Sequence, residues 1–163
     1  MERARKRLTK RKRPRAPRRP TRVATPRPTR VATPRPTPAE KRLLGLSREI
    51  ARLPLAAALG KLAAAWAPGG PLLYEVATAW TESRGNKTSA LALAWAREQV
   101  RLSLQEIIEA TPKDKRGRIE ATPETLAWVV LAGCEALAHE PPSAVADRVH
   151  ALLELTGHAA PGD

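Results

Sequence analysis

Eight prolines fall within the first 38 residues. Each removes a backbone donor and pushes the residue before it away from helical geometry, so neither helix nor sheet can propagate through this stretch. The same stretch repeats: residues 20–27 read PTRVATPR, residues 28–35 copy them unchanged, and a truncated third copy starts at Pro36. Its few apolar side chains, such as Val23 and Val31, cannot bury enough surface to offset chain entropy. Residues 1–37 are therefore expected to be a disordered Pro/Arg-rich arm, and any core must be built downstream.

Charge divides at the same place. Residues 1–38 hold 15 of the 29 Lys and Arg against one acid, Glu2, a net of +14, while residues 39–163 hold 14 bases and 15 acids, a net of −1. All of the chain's +13 is thus explained by the arm. Its cations are Arg3, Arg5, Lys6, Arg7, Lys10, Arg11, Lys12, Arg13, Arg15, Arg18, Arg19, Arg22, Arg27, Arg30 and Arg35. Closely spaced cations on an extended chain suit nucleic acid, because each neutralised phosphate releases counterions whatever the base sequence. The arm has no aromatic side chain to stack on bases and no Asn or Gln to read adenine edges, so it carries little sequence specificity beyond Arg in a narrow minor groove. Two other readings stand beside this one: a solubilising extension and contact with an anionic membrane surface.

The remaining 125 residues suffice for one self-sufficient domain and not for two. Cys134 is the single cysteine, which excludes an intrachain disulfide and a cysteine zinc site and fits a reducing compartment. No apolar stretch follows the basic N-terminus, so a secretory signal is not expected. The longest apolar runs, 53–68 and 126–138, carry Lys61 and Glu135 and are too short for a bilayer. The expected location is the cytoplasm, with no membrane partner.

The body reads as helices throughout. Thr37, Pro38 and Glu40 form an N-cap, a first-turn proline and a capping-box acid, opening a helix expected to run to about residue 53. Pro54 restarts the chain, and Leu55, Ala58, Leu59, Leu62 and Trp66 recur at helical spacing up to Pro68 and two glycines. A third helix opens at Pro71 and carries Leu72, Leu73, Val76, Ala79 and Trp80 before stopping near residues 84–86. The longest segment, 88–110, is read with Leu91, Trp95, Leu102 and Ile108 near its apolar face, widened by Val100, Leu104 and Ile107, and with Arg97, Glu98, Arg101, Gln105 and Glu109 opposite. Thr122 and Pro123 repeat the cap signal before a helix apolar almost all round, which needs burial on more than one side. A last amphipathic helix, 143–156, turns Val145, Val149, Leu152 and Leu153 inward and ends at Gly157, leaving 158–163 as a flexible C-terminus. No strand pattern competes. The expected fold is all-α, a single bundle of about six helices over residues 38–157.

No HExxH, GxSxG, P-loop or GxGxxG occurs, so no enzyme is expected and no cofactor is implied. Glu135 and His139, four apart, are two ligands without a third, and no metal site is assigned. Trp66, Tyr74, Trp80, Trp95 and Trp128 are the only aromatics, and all are read on apolar helical faces, in the core or lining a pocket. Glu75, beside Tyr74, reads as a surface acid or a buried polar anchor.

From residue 71 onward the element order resembles the C-terminal regulatory domain of the TetR family of bacterial transcriptional repressors. The likeness is carried by PLLYEVATAWTESRGN at 71–86, REQVRLSLQEIIEA at 97–110, the GRI turn at 117–119 and TPETLAWVVLAGCEALAHE at 122–140. The resemblance implies a homodimer through the last two helices, here with Trp128, Val129, Leu131, Val145, Val149 and Leu152 at the interface. It also implies a pocket for a small apolar effector among the central helices, at Trp66, Leu73, Tyr74, Trp80, Trp95 and Leu102. The family's N-terminal helix-turn-helix has no counterpart in residues 1–38, so its operator-reading mechanism is not carried over. The leading expectation is a TetR-like regulator or DNA-associated accessory protein whose arm holds phosphate without reading sequence. The alternatives are a helical small-molecule or protein-binding module with a solubilising tail, and an RNA-associated or nucleoid protein.

Overall fold

Thr37 does what its position in the sequence suggests: its side-chain oxygen accepts the backbone N–H of Glu40 at 3.2 Å, with Pro38 in the first turn. This cap begins helix α1, Pro38–Ile50. The computed structural model describes residues 35–112 and 120–157. The DNA-contact residues other than Arg35, the GRI turn and residues 158–163 lie outside the described residues.

Five more helices follow: α2 (Leu55–Ala65), α3 (Pro71–Glu82), α4 (Lys87–Ala110), α5 (Pro123–Ala136) and α6 (Val145–Leu155). Among the described residues there is no strand, and the expected all-α bundle of six helices is what forms. Helix α1 ends at Ile50, three residues earlier than periodicity suggested. The cause is Pro54, which disfavours helical geometry at Leu53; the chain closes instead with turns from Arg52 N–H to Glu49 O and from Leu53 N–H to Ile50 O. Helix α4 opens on Asn86, whose side-chain oxygen accepts the Ser89 N–H at 3.2 Å, so the residue expected to stop α3 also starts α4. Helix α5 is capped by Thr122 through the Thr125 N–H, and a 3-10 turn, Leu137–His139, extends it. Gly157, at φ 82°, takes the left-handed position just past α6 that a side chain would resist.

The 24-residue α4 is the axis of the bundle, about 36 Å long, with α1 packed along one side and α5 along another. Leu43 and Ile50 of α1 meet Leu93, Val100, Leu104 and Ile108 of α4 in one continuous core, which Leu59 and Leu62 of α2 and Val130 and Leu131 of α5 complete. The buried stripe of α4 is therefore Leu93, Ala96, Val100, Leu104, Ile107 and Ile108; of the face read from the sequence, Ile108, Val100, Leu104 and Ile107 lie inside, whereas Leu91, Trp95 and Leu102 do not. Leu91, at 70 % exposure, and Trp95, at 56 %, project on the opposite side, with Leu102 also exposed. Ala96 is fully buried, and its small side chain lets a neighbouring helix approach closely. Among the described residues no helix is long and apolar enough to cross a membrane.

Candidate functional site

Helix α5 buries Leu126, Ala127, Val130, Leu131 and Cys134 in the core, yet on its outer side Trp128 is 57 % exposed, with Val129 exposed next to it. A helix apolar all round thus has one covered side and one bare one. The bare side is firmly oriented. On its α4 flank, both oxygens of Glu135 accept from the Arg97 guanidinium at 2.7 Å, and that carboxylate keeps Arg97 still more firmly protonated than usual. Arg101, one turn on, grips Glu98 at 2.7 Å and shares a shallow recess with Glu124, Thr125 and Trp128. The hydrogen bonds from Arg101 hold the Glu98 carboxyl below its ordinary range. Because Arg97 meets the end of α5 and Arg101 its beginning, the two helices run antiparallel.

On the other flank α6 lies close against Gly133. A Cβ at that glycine would stand 2.6 Å from a terminal carbon of Leu152, so the contact exists because the position has no side chain. Between the two helices runs an apolar groove of about 210 Å³, floored by Gly133, Leu137 and Leu152, walled by Ala136 and Ala151 and lipped by Glu140 and Arg148. These two charged groups approach at 3.7 Å. Cys134 points inward, fully buried, and burial pushes its thiol up to about 12.

The sequence-assigned interface residues divide by position. Trp128 and Val129 face outward; Val145 and Val149 are half-buried on α6; Leu152 lies beneath Gly133; and Leu131 belongs to the chain's own core. The six pocket candidates are not gathered around one cavity. Trp66 is buried, and its indole N–H has no hydrogen-bond partner among the described residues. Leu73 is half-buried, whereas Tyr74 is 75 % exposed and Trp80, Trp95 and Leu102 are also at the surface. The reading of all five aromatics as inward-facing therefore holds for Trp66 alone. A cleft of about 610 Å³ opens elsewhere, where Leu53, Pro54 and Leu55 face Ser103, Glu106 and Ile107 at the far end of α4, and none of the six lines it.

Of the polar candidates, Glu75 is a surface partner: it accepts two 2.8 Å hydrogen bonds from Arg42, tying α3 to α1. Glu135, once paired in sequence with His139, is occupied by Arg97. Among the described residues no three His, Cys, Asp or Glu side chains are grouped closely enough to hold a metal ion. Arg35, the one described member of the cationic set, is exposed. The groove at Gly133 was missed in the sequence; a glycine inside a strongly apolar helix was the available signal. Compared with models of protein families, with curated proteins and with solved structures, the chain matches none.

Proposed function

We propose that the helical body is a dimerising regulatory module of the TetR type, and that residues 1–38 serve it as a polycationic hold on DNA. The observation that supports this most directly is the bare side of α5: a core helix carries Trp128 and Val129 outward, where a second copy would cover them. A twofold dimer brings two arms to one site, and tethering makes two weak phosphate contacts act as one stronger hold. The working location is the bacterial cytoplasm, on the nucleoid when bound.

A gel-shift titration in rising salt tests the proposal. The slope of log K against log salt should steepen by about 0.9 for each phosphate engaged on duplex DNA, and binding should vanish when residues 1–38 are removed. Equal binding by the truncated body would overturn it. Scrambling the DNA sequence should change affinity little, since the arm holds backbone rather than base edges.

A second reading, a module that takes up small apolar molecules without touching DNA, draws on the 610 Å³ cleft beside Pro54. It expects thermal stabilisation by apolar ligands and no shift with DNA.

A further inference from the structure

The near-neutral total of the body hides a division of charge. Residues 35–97 hold nine Lys and Arg against four acids, a net of +5, whereas the described residues from 98 onward hold two against nine, a net of −7. The cations of the first part are densest on α1. Lys41, Gly45 and Arg48, at helical spacings of four and three, share the side of α1 away from Leu43, Leu46 and Ile50, and Arg52 follows in the turn that closes the helix. Lys41, Arg48 and Arg52 are exposed, and none has an ion-pair partner among the described residues, while Arg42 and Lys61 are held by Glu75 and Glu49. We infer that this stripe is itself a phosphate-binding surface, against which the backbone of duplex DNA lies. This rests on the DNA reading above and adds to it a contact site on the folded body.

Two features separate the stripe from an ordinary solvated helix face. Arg48 and Arg52, one turn apart, repel each other, and the nearest acid on the helix, Glu49, is turned to Lys61; a phosphate would relieve that repulsion. Gly45 is the second. The glycines at positive φ are Gly69, Gly85 and Gly157, so Gly45 needs no left-handed backbone, and a Cβ there would meet nothing within 4 Å. Neither conformation nor internal packing accounts for a glycine that weakens the middle of a helix, but a chain that must come close to α1 between Lys41 and Arg48 does. The span also suits the partner. Lys41 to Arg52 covers about 16 Å, over which one strand of a duplex presents about five phosphates, so three contacts fit side by side. Three are too few to hold DNA alone; they add to the hold of the arm, which in sequence leads directly into α1.

Fluorescence anisotropy of the full chain with a labelled duplex, titrated at several salt concentrations, tests the inference. Replacing the stripe cations together, Lys41→Gln, Arg48→Gln and Arg52→Gln, should lower the slope of log K against log salt by about 2.7, three phosphates at about 0.9 each. Arg84→Gln, Lys87→Gln and Arg148→Gln together remove the same charge elsewhere on the surface and should leave the slope as in wild type. All six side chains are exposed, so helical circular dichroism should be unchanged in both triple variants. Gly45→Gln should melt at a higher temperature than wild type, since glutamine favours a helix over glycine, yet bind the duplex several-fold more weakly. A stripe variant with the wild-type slope, a control variant that loses as much, or a Gly45→Gln that melts higher and binds equally well overturns this surface while the arm reading survives. Stripe-dependent binding to phosphatidylserine vesicles, with duplex binding indifferent to the stripe, overturns it as well. A wild-type chain that does not bind the duplex overturns the arm reading and this surface together.

Discussion

Arg97 and Glu135 join the two helices that flank the bare face, through paired N–H···O contacts of 2.7 Å from the middle of α4 to the end of α5. The pair is partly screened, with about a third of the arginine side chain exposed, so its strength comes from geometry more than from depth. Arg97→Ala and Glu135→Ala should each cost about 1 kcal/mol in chemical denaturation. The double variant should cost less than the sum of the two, because either single change already removes the contact. Additive losses would mean that the pair does not act as a unit.

Gly133 should tolerate enlargement poorly. Gly133→Ala puts a methyl group 2.6 Å from the Leu152 terminus and should destabilise by about 1–3 kcal/mol as α6 is pushed away. Shortening the opposing side chain makes room, so adding Leu152→Ala to Gly133→Ala should cost less than Leu152→Ala costs in wild type. Thermal or urea melts of the four proteins give the coupling.

The register of α4 can be read from paired truncations. Leu104→Ala empties a fully buried position and should cost about 2–5 kcal/mol, while Leu91→Ala should stay within about 0.5 kcal/mol. Equal penalties would place the core on the wrong side of the helix.

Acid should loosen the bundle through carboxylates held by arginine. Glu75 and Glu98 titrate below their ordinary value of 4.5, chiefly because Arg42 and Arg101 donate hydrogen bonds to them. In the window between the lowered folded value and 4.5 the unfolded chain binds more protons, so this stabilisation is present above 4.5 and is lost as pH falls through the folded value. Stability measured from pH 6 down to about 3 should fall less steeply in Glu75→Gln and Glu98→Gln than in wild type.

How much of this was legible in the sequence differs by feature. Caps and breaks were plain, because Thr37, Thr122 and the helix-opening prolines act through local geometry that tertiary packing leaves alone. The face of α4 was only partly so: Val100, Leu104, Ile107 and Ile108 were read inward and are buried, but Leu91, Trp95 and Leu102 are exposed. Its turns offer two apolar stripes, one bulky through Leu91, Trp95 and Leu102 and one slimmer through Leu93, Ala96 and Val100, and hydrophobicity favours the bulky one. Close packing chose the slimmer, burying Ala96 completely and leaving both Trp95 and Leu91 at the surface. The outward side of α5 was half visible: an all-apolar helix announces a need for cover, but the groove beside it depends on where α6 crosses, which no local pattern encodes.

The division of the tryptophans has a spectroscopic consequence. One indole, Trp66, is sealed in the core, and three, Trp80, Trp95 and Trp128, are substantially open to water. Emission from the native protein is therefore weighted toward the surface, and unfolding changes the environment of Trp66 most. Whatever comes to rest on the outside of α4 or α5 changes the environment of at least one ring in four. The intrinsic fluorescence of this chain therefore reports association as well as folding.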